Sequence, residues 1–86
     1  METDALRSLV KTAATGTPGA RIWPNGLGFS CRGVEYMYLE RTQRWSALHR
    51  GYAGRDVSKY GEGSTPQAAK RAAGIGRDKH TRSRPL

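Results

Sequence analysis

Arg44-Trp45-Ser46-Ala47-Leu48-His49-Arg50, followed after a glycine-bearing loop by Val57-Ser58-Lys59-Tyr60-Gly61-Glu62-Gly63-Ser64-Thr65-Pro66-Gln67-Ala68-Ala69-Lys70-Arg71-Ala72-Ala73, is the stretch that decides the fold. Trp45, Ala47 and His49 share one phase of a strand, and Ser46, Leu48 and Arg50 share the other, the period-two pattern of half-buried β-structure. Residues 51–55 make a hairpin loop of a length that usually contains glycine, and residues 56–60 are expected to return as the third strand. Gly61-Glu62-Gly63 then reads as a break between strand and helix. Thr65 can cap the helix that follows, and Pro66 sits in its first turn, where a missing N–H costs nothing. Ala69, Ala72 and Ala73 give that helix a small-residue face able to approach a sheet, with Lys70 and Arg71 pointing elsewhere.

Upstream, Leu6, Leu9, Val10 and Ala13 recur at helical spacing between Thr3 and Thr15, so a first helix is expected there. Thr3 or Asp4 can cap it, Gly16 can end it, and Pro18 prevents its resumption. From Gly16 to Gly28 a loop is expected, with Pro24-Asn25-Gly26 as a turn and Trp23 packed inward. Leu27, Phe29 and Cys31 then alternate, Gly33 interrupts, and Val34, Tyr36 and Tyr38 alternate on the opposite phase. This reads as one long bent strand, or a strand bulged near Gly33. Residues 41–44 are a polar turn. Gly74 ends the second helix, and residues 77–86 form a basic tail without periodicity, expected to be disordered in isolation.

Eighty-six residues form a single domain that buries only about 60% of its unfolded surface. The net charge of +8 comes from 15 Lys and Arg against 7 Asp and Glu. It is unevenly placed: residues 1–43 carry +1 and residues 44–86 carry +7. Such a gradient favours an anionic polymer as partner, because phosphate contacts gain from counterion release and long-range steering. The single cysteine, Cys31, rules out an intramolecular disulfide and fits a reducing compartment. No apolar run approaches the ~18 residues of a membrane span, and Glu2 and Asp4 stand where a secretory signal carries bases. A cytoplasmic protein without membrane association is expected.

Catalytic and metal-binding patterns are lacking in the sequence. The two histidines, His49 and His80, stand far apart without Cys-x-x-Cys or His-x₃-His spacing, and neither sits beside an activated nucleophile. Gly61-Glu62-Gly63 lacks the Gly-Lys-Ser/Thr ending of a phosphate loop, and no cofactor motif is present. Arg44, Arg50, Arg55 and Lys59 interleave with Trp45, Tyr52 and Tyr60, an arrangement able to contact phosphates and stack on bases; Trp45 itself is expected in the core, so the functional case rests on the cations. The N-terminus of the second helix offers a further phosphate seat, reinforced by Lys59 before it and Lys70 after it.

The segment from Gly61 to Ala73 resembles the end of a double-stranded-RNA-binding domain, whose pattern is Gly-x-Gly-x-Ser-Lys-Lys-x-Ala-Lys-x-x-Ala. The resemblance implies a helix, three strands and a helix, with lysines at the second helix's N-terminus holding phosphates across a major groove. Lys70 matches one of those lysines, and Pro66 and Gln67 stand at the other two. Residues 44–73 also look like the plant Apetala/ethylene-response DNA-binding domain and phage integrase arm-binding domains, through Arg44, Trp45, Ala47, Arg50, Gly61, Thr65 and Ala69. That likeness implies a sheet whose exposed Arg and Trp read the major groove.

The expected fold is therefore α+β, in the order α-β-β-β-α over residues 1–76, with an antiparallel three-stranded sheet and both helices on one face. The expected function is non-catalytic binding of duplex DNA or RNA. Arg41 and Arg44 in the first turn, Arg50, Arg55 and Lys59 on the hairpin, and Lys70 and Arg71 on the helix form the expected contact surface. With about five phosphates engaged, log affinity would fall against log salt with a slope of roughly −4 to −5 on duplex DNA. The rival expectation is a small phage- or plasmid-type inhibitor or adaptor that docks on a host protein or nucleoprotein complex, with Trp23, Tyr36, Tyr38 and Tyr52 as anchors.

Overall fold

A computed structural model describes residues 2–51 and 58–75. The loop residue Arg55, the first two positions of the expected third strand and the basic tail lie outside the described residues. The described chain runs α1 (Thr3–Thr15), β1 (Arg21–Ile22), β2 (Gly28–Cys31), β3 (Val34–Leu39), β4 (Arg44–His49), β5 (Lys59–Gly63) and α2 (Pro66–Ala73). All five strands form one antiparallel sheet in sequential order. The α+β class and the two helices match the sequence reading, whereas the sheet has five strands rather than three.

Two of the extra pairings have simple local causes. The expected bent strand is two strands, because Arg32 and Gly33 both take positive φ, 53° and 81°, and form a two-residue hairpin turn with Cys31 opposite Val34. A two-residue turn leaves its flanking residues facing each other with side chains on the same side. The switch of apolar phase at Gly33 is therefore the mark of a hairpin. Ahead of it, the expected loop holds β1, whose Arg21 and Ile22 pair with Ser30 and Phe29. The Pro24-Asn25-Gly26 turn forms as expected: the Asn25 side chain accepts from the Leu27 N–H at 2.9 Å, and Gly26 has φ 75°. Arg7 of α1 donates to the Asn25 carbonyl at 2.9 Å, tying the turn to the helix.

Gly61 and Gly63 do not break β5 but belong to it, paired with Ala47 and Trp45. Their place explains how the second layer packs. Across one register row, Phe29, Tyr36, Ala47 and Gly61 follow one another from β2 to β5, so side-chain bulk falls toward β5. A Cβ on Gly61 would strike the Ala73 N and the Ala69 carbonyl of α2, and one on Gly63 would lie 2.6 Å from the Ala69 N. Helix α2 thus rests on bare strand backbone, with Ala69 fully buried. The sequence-expected face of three alanines is narrower, since Ala72 is exposed.

Helix α1 covers the bulky end of the same face. Leu6, Val10 and Ala14 meet a core of Phe29, Val34, Tyr36 and Trp45. Phe29 stacks on Tyr36 at 4.9 Å and meets Trp45 edge-on at 5.9 Å, geometries worth about 0.5–1.5 kcal/mol each beyond area burial. The helix begins at an N-cap Glu2 without a side-chain cap, in place of the expected Thr3 or Asp4. Thr65 caps α2 as expected, its hydroxyl accepting from the Ala68 N–H at 3.0 Å, and Gly74 ends it with φ 79°. No helix among the described residues is long and apolar enough to cross a membrane.

Candidate nucleic-acid interface

With both helices on one side, the other face of the sheet is left uncovered by the described residues. Strand alternation sends Arg21, Ser30, Glu35, Leu48 and Tyr60 to it in one register row. A second row runs through Gly28, Met37, Ser46 and Glu62, and Leu39 and Arg44 begin a third. Trp23 joins this face instead of packing into the core. Its backbone N–H bonds the Gly28 carbonyl at 2.9 Å, which keeps it in phase with Arg21, and its indole N–H donates to Ser30 Oγ at 2.8 Å. Its ring rests on Gly28, where an added Cβ would come within 2.6 Å of it.

The result is an apolar track that crosses the strands diagonally. Trp23 lies over β2, Met37 is on β3, Leu48 on β4 and Tyr60 on β5, a span of roughly 14 Å for three strand spacings. They line a shallow hollow of about 250 Å³. Met37 is 42% exposed and Tyr60 53%, high values for large side chains on a sheet. The Tyr60 hydroxyl donates to the Glu62 carboxylate at 2.7 Å, and that bond first, then desolvation and the carboxylate charge, raise its pKa above the usual 10.0 against an opposing hydrogen bond with Ser46. The same bond holds the ring over the sheet.

Arginines stand at the margins of this track. Arg44 opens β4 and donates to the Glu62 carbonyl at 3.4 Å. Arg50 follows β4 at its far end, roughly 20 Å along the strand, and pairs with Glu35 at 3.6 Å. Both members of that pair are substantially exposed, so it is weak and an arriving phosphate can exchange for the carboxylate at little cost. Arg41 lies exposed in the turn before β4, at the Arg44 end.

The remaining sequence-expected cations belong to the helix layer. Lys59 faces α2 and donates to the Gly74 carbonyl at 3.4 Å. It therefore sits at the C-terminal end of α2 and not beside the N-terminal phosphate seat, because α2 runs back along β5 and brings its last turn to the strand's first residue. Lys70 shares a groove of about 200 Å³ with Thr17, Arg32, Tyr36 and Gln67, and Arg71 is exposed on α2. Cys31, half-buried, also lines that groove and donates to the Pro18 carbonyl at 3.4 Å. The expected single surface is thus divided between opposite sides of the sheet, with Arg44 and Arg50 on one and Lys59, Lys70 and Arg71 on the other, and Arg41 in the turn at the sheet's end.

Of the track and its margins, Arg21, Trp23, Met37 and Leu48 had no place in the sequence-derived nucleic-acid surface, Trp23 having entered only as an anchor in the rival expectation. Alternation identifies Met37 once β3 is placed. Arg21 and Trp23 depend on a two-residue strand too short to show a period. Trp45, rated as core from sequence, is 5% exposed beneath α1. Among the described residues no three His, Cys, Asp or Glu side chains gather as a metal site would require. No family model matches this chain, and no match is found among curated proteins or solved structures.

Proposed function

We propose that this protein binds nucleic acid without catalysing a reaction on it, and that the uncovered sheet face is its main contact surface. One observation carries the reading: the face opposite the two described helices holds an aromatic and apolar track with arginines at its margins. A soluble sheet exposing Met37 and Tyr60 beside Trp23 departs from the polar outer face usual for an antiparallel sheet. Arginine at the edge of such a patch suits phosphate, which it can hold through two parallel hydrogen bonds. The net charge of +8 adds long-range attraction. Lys70 and Arg71 on the far side contribute to encounter and to contacts with a chain that wraps the edge.

Band retardation at low salt with mixed single strands and duplexes tests this. The protein is expected to retard nucleic acid, and Arg44→Glu combined with Arg50→Glu is expected to weaken binding at least tenfold while leaving the far-UV circular dichroism unchanged. Retardation that is absent at low salt, or untouched by the double reversal, overturns the assignment of this face.

A further inference from the structure

Resting on the nucleic-acid reading, we propose that the ligand of the uncovered face is an unpaired strand whose bases stack on Trp23 and Tyr60, with Met37 and Leu48 as the apolar floor between them. Three observations on this face converge. The first is chemical. A duplex presents phosphates and groove edges outward and keeps its base faces stacked inside, so the rings of Trp23 and Tyr60 would meet charged backbone. An unpaired strand presents the π-faces that such rings accept, without regard to sequence.

The second observation is the charge count. Among the described residues, the uncovered face carries Arg21, Arg44 and Arg50 against Glu35 and Glu62, a small excess of cations for a large apolar area. Duplex DNA carries one charge per about 1.7 Å of axis and would leave most of its phosphates unmatched here. A short single strand needs only a phosphate contact at each side of the track, where Arg44 and Arg50 stand.

The third is the preparation of the rings. Tyr60 is oriented by its hydrogen bond to Glu62 at 2.7 Å, and Trp23 by its bond to Ser30 at 2.8 Å and its seat on Gly28. Side chains already held in place lose less freedom when a base arrives. The track spans four strands, enough for about two or three stacked bases.

Fluorescence anisotropy of the full chain with labelled oligothymidylate and oligouridylate of about 12 nucleotides, and with a duplex of equal length, tests the proposal. The single strands are expected to bind more tightly than the duplex and to quench tryptophan emission. Their salt slope is expected at about −1.4, for two phosphate contacts, at Arg44 and Arg50, of roughly −0.7 each. Tyr60→Ala and, separately, Met37→Glu change exposed positions and are expected to weaken single-strand binding about tenfold or more, with thermal unfolding checking that each variant remains folded. Tighter binding of one of the two strands identifies the sugar. If the duplex is preferred with a slope of roughly −4 to −5, or both variants bind single strands as the parent does, the stacking proposal fails while nucleic-acid binding stands. If none of the three probes binds at low salt, the nucleic-acid reading itself fails, and a protein partner for the apolar track takes its place.

Discussion

Tyr36 shows how one side chain links packing to solution behaviour. It is 5% exposed, stacked on Phe29 at 4.9 Å, and its phenol pKa lies above the usual 10.0 because burial disfavours the phenolate, with the nearby Cys31 thiol adding to the effect. The folded state thus holds this proton more tightly than the unfolded chain does. The resulting contribution to stability is complete below pH 10 and is lost as pH rises through the higher folded value. Compared with Tyr36→Phe, the parent protein should lose stability as pH is raised from below 10.0 to above it, read as the difference in urea midpoint at each pH. A constant difference across that range would disprove the link. Residue detail also decides Trp23: its backbone bond to Gly28 sets its side of the sheet, and the Ser30 hydroxyl and the bare Gly28 beneath the ring fix the indole there.

Among the elements, the contact between β5 and α2 sets the tightest demands. Two glycines on alternate positions of one strand leave a flat strip, and α2 fills it with Ala69 and its own backbone. Gly63→Ala would place a Cβ 2.6 Å from the Ala69 N and 2.7 Å from the Ala68 Cβ. Backbone cannot turn aside as a flexible side chain can, so the helix must lift. An expected loss of about 1–3 kcal/mol follows from such overpacking, measured as a lower urea midpoint. From sequence these glycines resembled a break, since glycine weakens an isolated strand. Only the helix lying on them gives them a role inside the strand. The reverse holds for the turn at Arg32-Gly33, where the phase switch between Cys31 and Val34 was visible all along and is explained by a two-residue loop.

At the scale of the whole molecule, both helices lean on one continuous core. Leu6, Val10 and Ala14 of α1 and Ala69 of α2 belong to the same cluster as the aromatic rings of β2, β3 and β4. Unfolding should therefore be a single cooperative event. Tryptophan emission, which samples Trp45 in the core and Trp23 on the opposite face, and far-UV circular dichroism should give coincident urea transitions. Separate midpoints would show that the β1 hairpin and its Trp23 open independently of the core. The two-sided distribution of cations belongs to this scale as well. Arg44 and Lys59 lie on antiparallel neighbouring strands, yet alternation sends them to opposite faces, which separates cations that look continuous along the chain.

The sequence by itself determined the two helices, the Thr65 cap, the Pro24-Asn25-Gly26 turn and the basic character, because each depends on contacts within a few residues or on composition. Tertiary structure alone decided the five-strand count, the inclusion of Gly61 and Gly63 in β5, the removal of Lys59 to the far end of α2, and the assembly of Trp23, Met37 and Tyr60 on one uncovered face. Those depend on pairing between segments up to three strands apart, and the free energy of such pairing lies in neighbours that no local window of residues contains.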